Sequence, residues 1–159
     1  MYDIVFISYQ EPSADENYTA LKARFPMAKR VHGVKGIHQA HIKAAKKCFT
    51  KMFWIVDADA FILDTFNFNY ETPEHQLDHV HVWRAKNPIN GLEYGYGGVK
   101  LFPTKLVSNA TSWGLDFTTG LSSRFKSMPQ VSCVTKFNTE HKTNINLKKK
   151  SWKRIFSKA

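Results

Sequence analysis

The run FWIVDADAFILD, Phe53 to Asp64, places three carboxylates in an otherwise apolar stretch. Burying an unpaired carboxylate costs several kcal/mol, so these side chains either leave the core here or hold a ligand. Residues two apart in an extended chain point the same way, so Asp57 and Asp59 can converge while Ala58 faces the other side. Two like charges this close repel, and a divalent cation between them relieves the repulsion. Mg²⁺ or Mn²⁺ bridging a diphosphate is the economical answer: oxygen ligands hold the metal, and the metal offsets charge on the departing phosphate. A pair of solvent-facing turn aspartates is the plain structural alternative. Phosphatases that form an aspartyl-phosphate also begin D-x-D after a hydrophobic strand, with a turn Gly and Thr soon after. Ala60 and Phe61 occupy that place here, and fifty-six residues precede Asp57.

Positioning such a pair requires a strand that ends at Asp57. Met52 to Val56 is an apolar strand of that kind, and in an open parallel sheet ligands gather just outside the carboxyl ends of strands. Upstream, Asp3 to Tyr9 reads as a strand covered on both faces. QEPSADENY supplies turn residues before an amphipathic run from Tyr18 to Phe25, stopped by Pro26, and Ala28 to Val34 gives a short second strand ending at Gly33. From Ile37 to Lys51 the spacing is helical: Ile37, His41, Ala44 and Cys48 form a stripe, Ala40, Ala45 and Phe49 lie beside it, and lysines take much of the rest. This succession predicts one α/β domain over residues 1–159, a Rossmann-like, mixed and mostly parallel sheet flanked by helices. Residues 1–64 hold the candidate ligand-binding groups and form its first half, and 65–159 form the second.

The loop before the helix has its own chemistry. Gly36 lets backbone approach a ligand without a Cβ clash, and the helix start near Ile37 offers unpaired N–H groups to an anion, to which Lys35 adds positive charge. A surface lysine before an ordinary helix is the alternative. His38 and His41, three apart, fit partly buried or exposed helix positions better than metal ligation.

HGVKGIHQAHIKAAKKCFTKMFWIVDADAFI resembles the nucleotide-diphospho-sugar binding core of the GT-A glycosyltransferases, where a Gly-containing loop leads into an Ala-rich helix, a hydrophobic strand and then D-x-D. The likeness covers mainly residues 3–64, and it implies a nucleotide-sugar and metal-binding half over 1–64 and an acceptor-side half over 65–159. It implies that Asp57 sits near the nucleotide ribose or a metal-bound water and that Asp59 coordinates the metal directly. It also implies a base pocket lined by Tyr9 with Gln10 and Glu11 nearby, a UDP-sugar donor, and a late histidine, His141, as a further metal ligand. Members of that family are generally longer, so the chain is expected to be a minimal version or a shortened product.

Beyond Asp64, TFNFNYETPEHQLD reads as an insertion or surface excursion, and Val80 to Ala85 as an alternating strand. A strand broken by Pro103 with a short helix start follows, then another strand after Pro129, and a basic helix in NLKKKSWKRIFSKA. GLEYGYGGVKLFP combines glycines with flat aromatic surfaces, which suits a lip for donor sugar or acceptor, and Tyr96, Gly97 and Gly98 are its candidate residues. A tight hairpin with aromatic anchors is the alternative. Inverting transfer needs a general base within reach of the acceptor hydroxyl: Asp116 is the first candidate and Glu93 the second. Either can instead cap a local turn.

Lysine and arginine number 23 against 13 acids, a formal charge of +10, with the excess concentrated in residues 121–159. This favours a polyanionic partner. DNA carrying a hydroxymethylated base is the acceptor expected from virus-encoded glycosyltransferases that the chain resembles. An anionic membrane surface beside a saccharide or lipid-linked acceptor is the second choice, and a non-catalytic basic nucleic-acid-binding protein the third. The two cysteines, Cys48 and Cys133, form no CxxC or Cys/His cluster, which disfavours structural zinc and fits a reducing, cytoplasmic setting. No apolar window is long enough for a spanning helix.

Overall fold

The computed structural model describes residues 1–95, 98–110 and 125–135. The first half alternates as its pattern demands: β1 (Asp3–Ser8), α1 (Ala14–Arg24), β2 (Lys29–His32), α2 (Ile37–Lys46) and β3 (Met52–Asp57). After the acidic turn come β4 (Ala60–Ile62), a 3₁₀ turn (Glu74–Gln76), β5 (Val80–Lys86), β6 (Glu93–Tyr94), β7 (Val99–Pro103), α3 (Thr104–Ser108) and β8 (Phe125–Thr135). All eight described strands join one sheet in the order β2-β1-β3-β7-β5-β8-β4, with β6 attached to β5. The sheet is mixed. Pairings β1–β2, β1–β3 and β5–β8 are parallel, and the remaining four among the described strands are antiparallel.

Strand β3 reads as a continuous apolar run because both its faces are covered. Trp54 and Val56 point into one cluster with Ile4, Phe6, Leu101 and Trp83, while Phe53 and Ile55 point into another with Val5, Phe102, Ala44 and Val107. Helices α2 and α3 cover the second face. α1 covers part of the first, and the stretch after Asp64 covers more of it.

That stretch corrects the expectation of a surface excursion. Phe66 and Phe68 are buried, their rings edge-on to Trp54 with centroids 5.7 and 5.1 Å away. Phe68 takes a left-handed φ of 58°, a conformation that its burial against Trp54 and Phe25 must sustain. The segment is irregular because it lids an aromatic core without pairing, which no periodic pattern reveals.

Two boundaries also differ. α2 ends at Lys46, because the Asp3 carboxylate accepts the N–H groups of Phe49 (2.7 Å) and Thr50 (3.1 Å) and draws the chain out of the helix. Phe49, expected beside the buried stripe, is therefore 92% exposed. β8 begins before Pro129 and runs through it. Its register against β5 slips between Val82 and Arg84, and this irregularity accommodates the proline's missing donor. Among the described residues no helix is long and apolar enough to cross a membrane, and both cysteines are free.

Candidate functional site

The carboxyl ends of β1 and β3 and the amino end of α2 open onto a cleft of about 370 Å³. Ser8, Tyr9 and Glu11 line it from the β1 side, Gly36, Ile37 and His41 from α2, and Asp57 and Asp59 from the turn after β3. The sequence terminates β3 here because Asp57 is the first residue of the run that cannot stay in the core uncompensated.

Three contacts hold the acidic turn. The Asp57 N–H donates to the Gly98 carbonyl at 2.8 Å, continuing the β3–β7 ladder by one step. From α1, Asn17 Nδ2 donates to the Ala58 carbonyl at 2.9 Å in a buried bond. Beyond Asp59, Ala60 pairs with Thr135 of β8, whose hydroxyl is 2.8 Å from that of Tyr94. Gly98 is a packing requirement: a Cβ there would lie 2.6 Å from the Cβ of Ala60 and 3.7 Å from that of Asp57.

The site carries surplus negative charge. Burial pushes the Asp57 carboxyl up to about 6; Lys100 works against this, and Asp59 and Glu11 add to it. Asp59 is exposed over the residue as a whole, while its carboxyl group is desolvated by the cleft and held above the usual range, with Glu11 contributing. Glu11 is fixed in place by accepting the Tyr9 N–H at 2.6 Å. On the α2 side, buried His41 bonds the Ile37 carbonyl through Nδ1 at 2.7 Å, and burial lowers its pKa to about 4, so it is neutral near pH 7. Gly36 sits before the first helical residue with φ 93°, a conformation that L side chains rarely adopt.

Tyr9, Gly36, Asp57 and Asp59 thus come together around one cleft. Gln10 and Lys35 are exposed neighbours in sequence but do not line it. Gly98 lies behind the acidic turn, and Glu93 is exposed on β6 with its carboxylate 3.9 Å from Arg84. Tyr96, Gly97, Asp116, His141 and the basic tail lie outside the described residues. Sequence reasoning passed over Asn17 and Lys100. Asn17 was readable only as a polar residue on a helix, and Lys100 becomes a neighbour of Asp57 only once β7 is paired with β3.

A hard divalent cation fits this donor set, since the carboxylates are oxygen ligands whose mutual repulsion a cation would relieve. Among the described residues no group of three His, Cys, Asp or Glu is assembled for a metal, so Asp57 and Asp59 would leave most coordination positions to phosphate oxygens and water.

No protein-family model matches the chain, and no curated protein matches it in sequence. Solved structures do resemble it. HddC from Yersinia pseudotuberculosis superposes with a TM-score of 0.54 at 12% identity, over 83% of this chain and 92% of that one. The same protein complexed with GMP-PN gives 0.51 at 11%, over 88% and 91%. A glycosyltransferase involved in the glycosylation of the major capsid of PBCV-1 gives 0.48 at 13%, over 91% and 99%. At these identities the likeness to HddC is one of architecture: the chain folds as a mixed α/β domain of that kind.

Proposed function

We propose that the chain is a metal-dependent glycosyltransferase that takes a nucleotide-diphospho-sugar, a UDP-sugar first among candidates, as donor. The observation that carries this is the Asp57 and Asp59 pair held at the carboxyl end of β3, an interior strand, on a cleft whose opposite wall is a helix amino terminus. A nucleotide complex of HddC, on the same architecture, adds support.

In this reading the Tyr9 ring, 44% exposed at the end of β1, stacks on the base, and Gln10 reaches in from the rim. Backbone N–H groups after Gly36 meet the diphosphate, with Lys35 adding charge from outside. Asp59 would hold Mn²⁺ or Mg²⁺, with His141 as a further ligand, and Asp57 would sit near the ribose or the ion's hydration water. The bound cation supplies Lewis-acid stabilisation of the leaving diphosphate. In the transfer the acceptor oxygen bonds to the anomeric carbon as the bond from that carbon to the diphosphate oxygen breaks. The acceptor's proton passes to a carboxylate in inverting transfer, Asp116 or else Glu93. Tyr96 and Gly97 would form the lip around the sugar, while Gly98 supports the acidic turn from behind. The basic tail suits a DNA acceptor bearing a hydroxymethylated base, and the setting is cytoplasmic.

Calorimetry with UDP and Mn²⁺ tests the reading. Binding is expected in the wild type and largely lost in Asp59→Asn, whereas metal-independent binding unchanged by that substitution would refute it. For the acceptor, binding to duplex DNA and to anionic vesicles is compared across a salt series, and a salt-dependent preference for DNA is the expected result.

A further inference from the structure

Lys100 stands in an unusual place for a lysine, in the middle of β7 between β3 and β5, opposite Ile55 on one side and Val82 on the other. It is half-buried. The register determines where its side chain goes. Residues directly opposite in a sheet share a face, so Lys100 emerges on the face of Ile55, and Asp57, two residues on from Ile55, shares that face too. Asp57 itself stands opposite Gly98, through its N–H bond to the Gly98 carbonyl. Lys100 is therefore the diagonal cross-strand neighbour of Asp57, and such neighbours lie about 7–8 Å apart at the backbone, within reach of a long side chain. Its positive charge is felt by Asp57, Asp59 and His41, in keeping with that shared face.

We propose that Lys100 is a second cation of the cleft, which competes with the divalent metal for Asp57 and binds the diphosphate of the nucleotide directly. This rests on the transferase reading and adds to Lys35 a second charge partner of the phosphates, a strand lysine on the sheet face of Asp57; neither lysine is among the residues lining the cleft, so Lys100 reaches it past Asp57. The two roles have opposite signs. An ammonium beside Asp57 opposes a metal arriving alone, yet favours an anion arriving alone. A lysine that merely packed the strand would influence both ligands in the same sense or neither.

The test uses the full chain and three substitutions, Lys100→Met, Lys100→Gln and Lys100→Arg, with separate titrations of Mn²⁺ alone and of UDP or GDP without metal. In Lys100→Met the metal-free nucleotide is expected to bind about 10-fold more weakly, the loss of one charge-assisted contact. Mn²⁺ alone is expected to bind about 3-fold more tightly, since a nearby like charge has gone. Lys100→Arg should keep nucleotide affinity near wild type. Lys100→Gln, which retains a polar end, replaces the Met variant if that does not fold. Both affinities unchanged, or both weakened together in a variant that melts like wild type, would overturn the inference. A wild type that binds nucleotide and metal while the Lys100 variants match it defeats this inference alone. A wild type that binds neither defeats the transferase reading as well.

Discussion

Asn17 Nδ2 and the carbonyl of Ala58 meet at 2.9 Å, joining the first helix to the residue between the two aspartates. Both residues are buried, so the bond has no water to replace it. Asn17→Ala is expected to destabilise the fold by about 1–3 kcal/mol, the cost of stranding a buried carbonyl. It should also weaken Mn²⁺ binding, because the turn that sets the spacing of Asp57 and Asp59 loses its tether. Urea unfolding and a metal titration check this together. Lower stability with wild-type metal affinity would mean that the tether does not set that spacing.

Gly98→Ala puts a methyl group 2.6 Å from the Cβ of Ala60, closer than real contacts allow. Neither atom can rotate away, so backbone must shift, at a cost of about 1–3 kcal/mol. The Asp57 N–H bond to Gly98 lies at that point, and nucleotide affinity is expected to fall with stability. Adding Ala60→Gly removes the obstructing methyl group and should restore much of the melting temperature. Failure of that double variant to recover would place the strain elsewhere.

Gly36→Ala isolates backbone conformation from crowding. A Cβ there meets Gln39 Cγ only at 3.8 Å, an ordinary contact, but φ is 93°. The expected penalty is about 1–3 kcal/mol, from forcing an L residue into a Gly-only region. Thermal melting measures it, and a neutral result would mean that the loop relaxes to negative φ without disturbing α2.

Acid should destabilise the protein through its buried histidines. Burial lowers His41 and His81 to about 4, against 6.5 for an imidazole in water. Between those values the unfolded chain takes up protons that the folded one refuses, so stability falls as pH drops from about 6.5 toward 4. Asp57 opposes this: raised to about 6, it holds a proton in the folded state across the interval from about 6 to 3.8 and gains stability as pH falls. A difference measurement separates them. Melting temperatures of wild type and His81→Leu are expected to diverge below about pH 6.5, with wild type losing more. Parallel curves would show that His81 does not titrate differently on folding.

The first half of the fold was legible because each of its elements is self-announcing. β1 and β3 are runs apolar on both faces, α2 has a clear stripe, and the D-x-D pair marks where a strand must leave the core. What could not be read was everything that depends on distant partners. Phe66 and Phe68 are aromatic in an otherwise polar, turn-rich stretch, and only the presence of Trp54 beneath them makes them core. Phe49 continues the helical spacing of α2, yet Asp3, far away in sequence, intercepts the backbone before that residue can turn inward. Lys100 looks like any strand lysine until the β3–β7 register sets it diagonal to Asp57. Gly98 looked like part of a flexible lip, and its steric role emerges only against Ala60.

The pairing of β3 with β7 also governs the order in which the molecule can be made. When Asp57 leaves the ribosome, β1, β2 and β3 can already assemble in parallel, but one edge of β3 is open and carries Phe53, Trp54 and Ile55. That edge stays sticky until Val99–Pro103 is synthesised and docks. A nascent chain halted before that point holds both aspartates in its sequence without the backbone bond from Asp57 to Gly98, and has every reason to seek another strand. The seventh strand thus turns an open, self-pairing edge of β3 into an interior one.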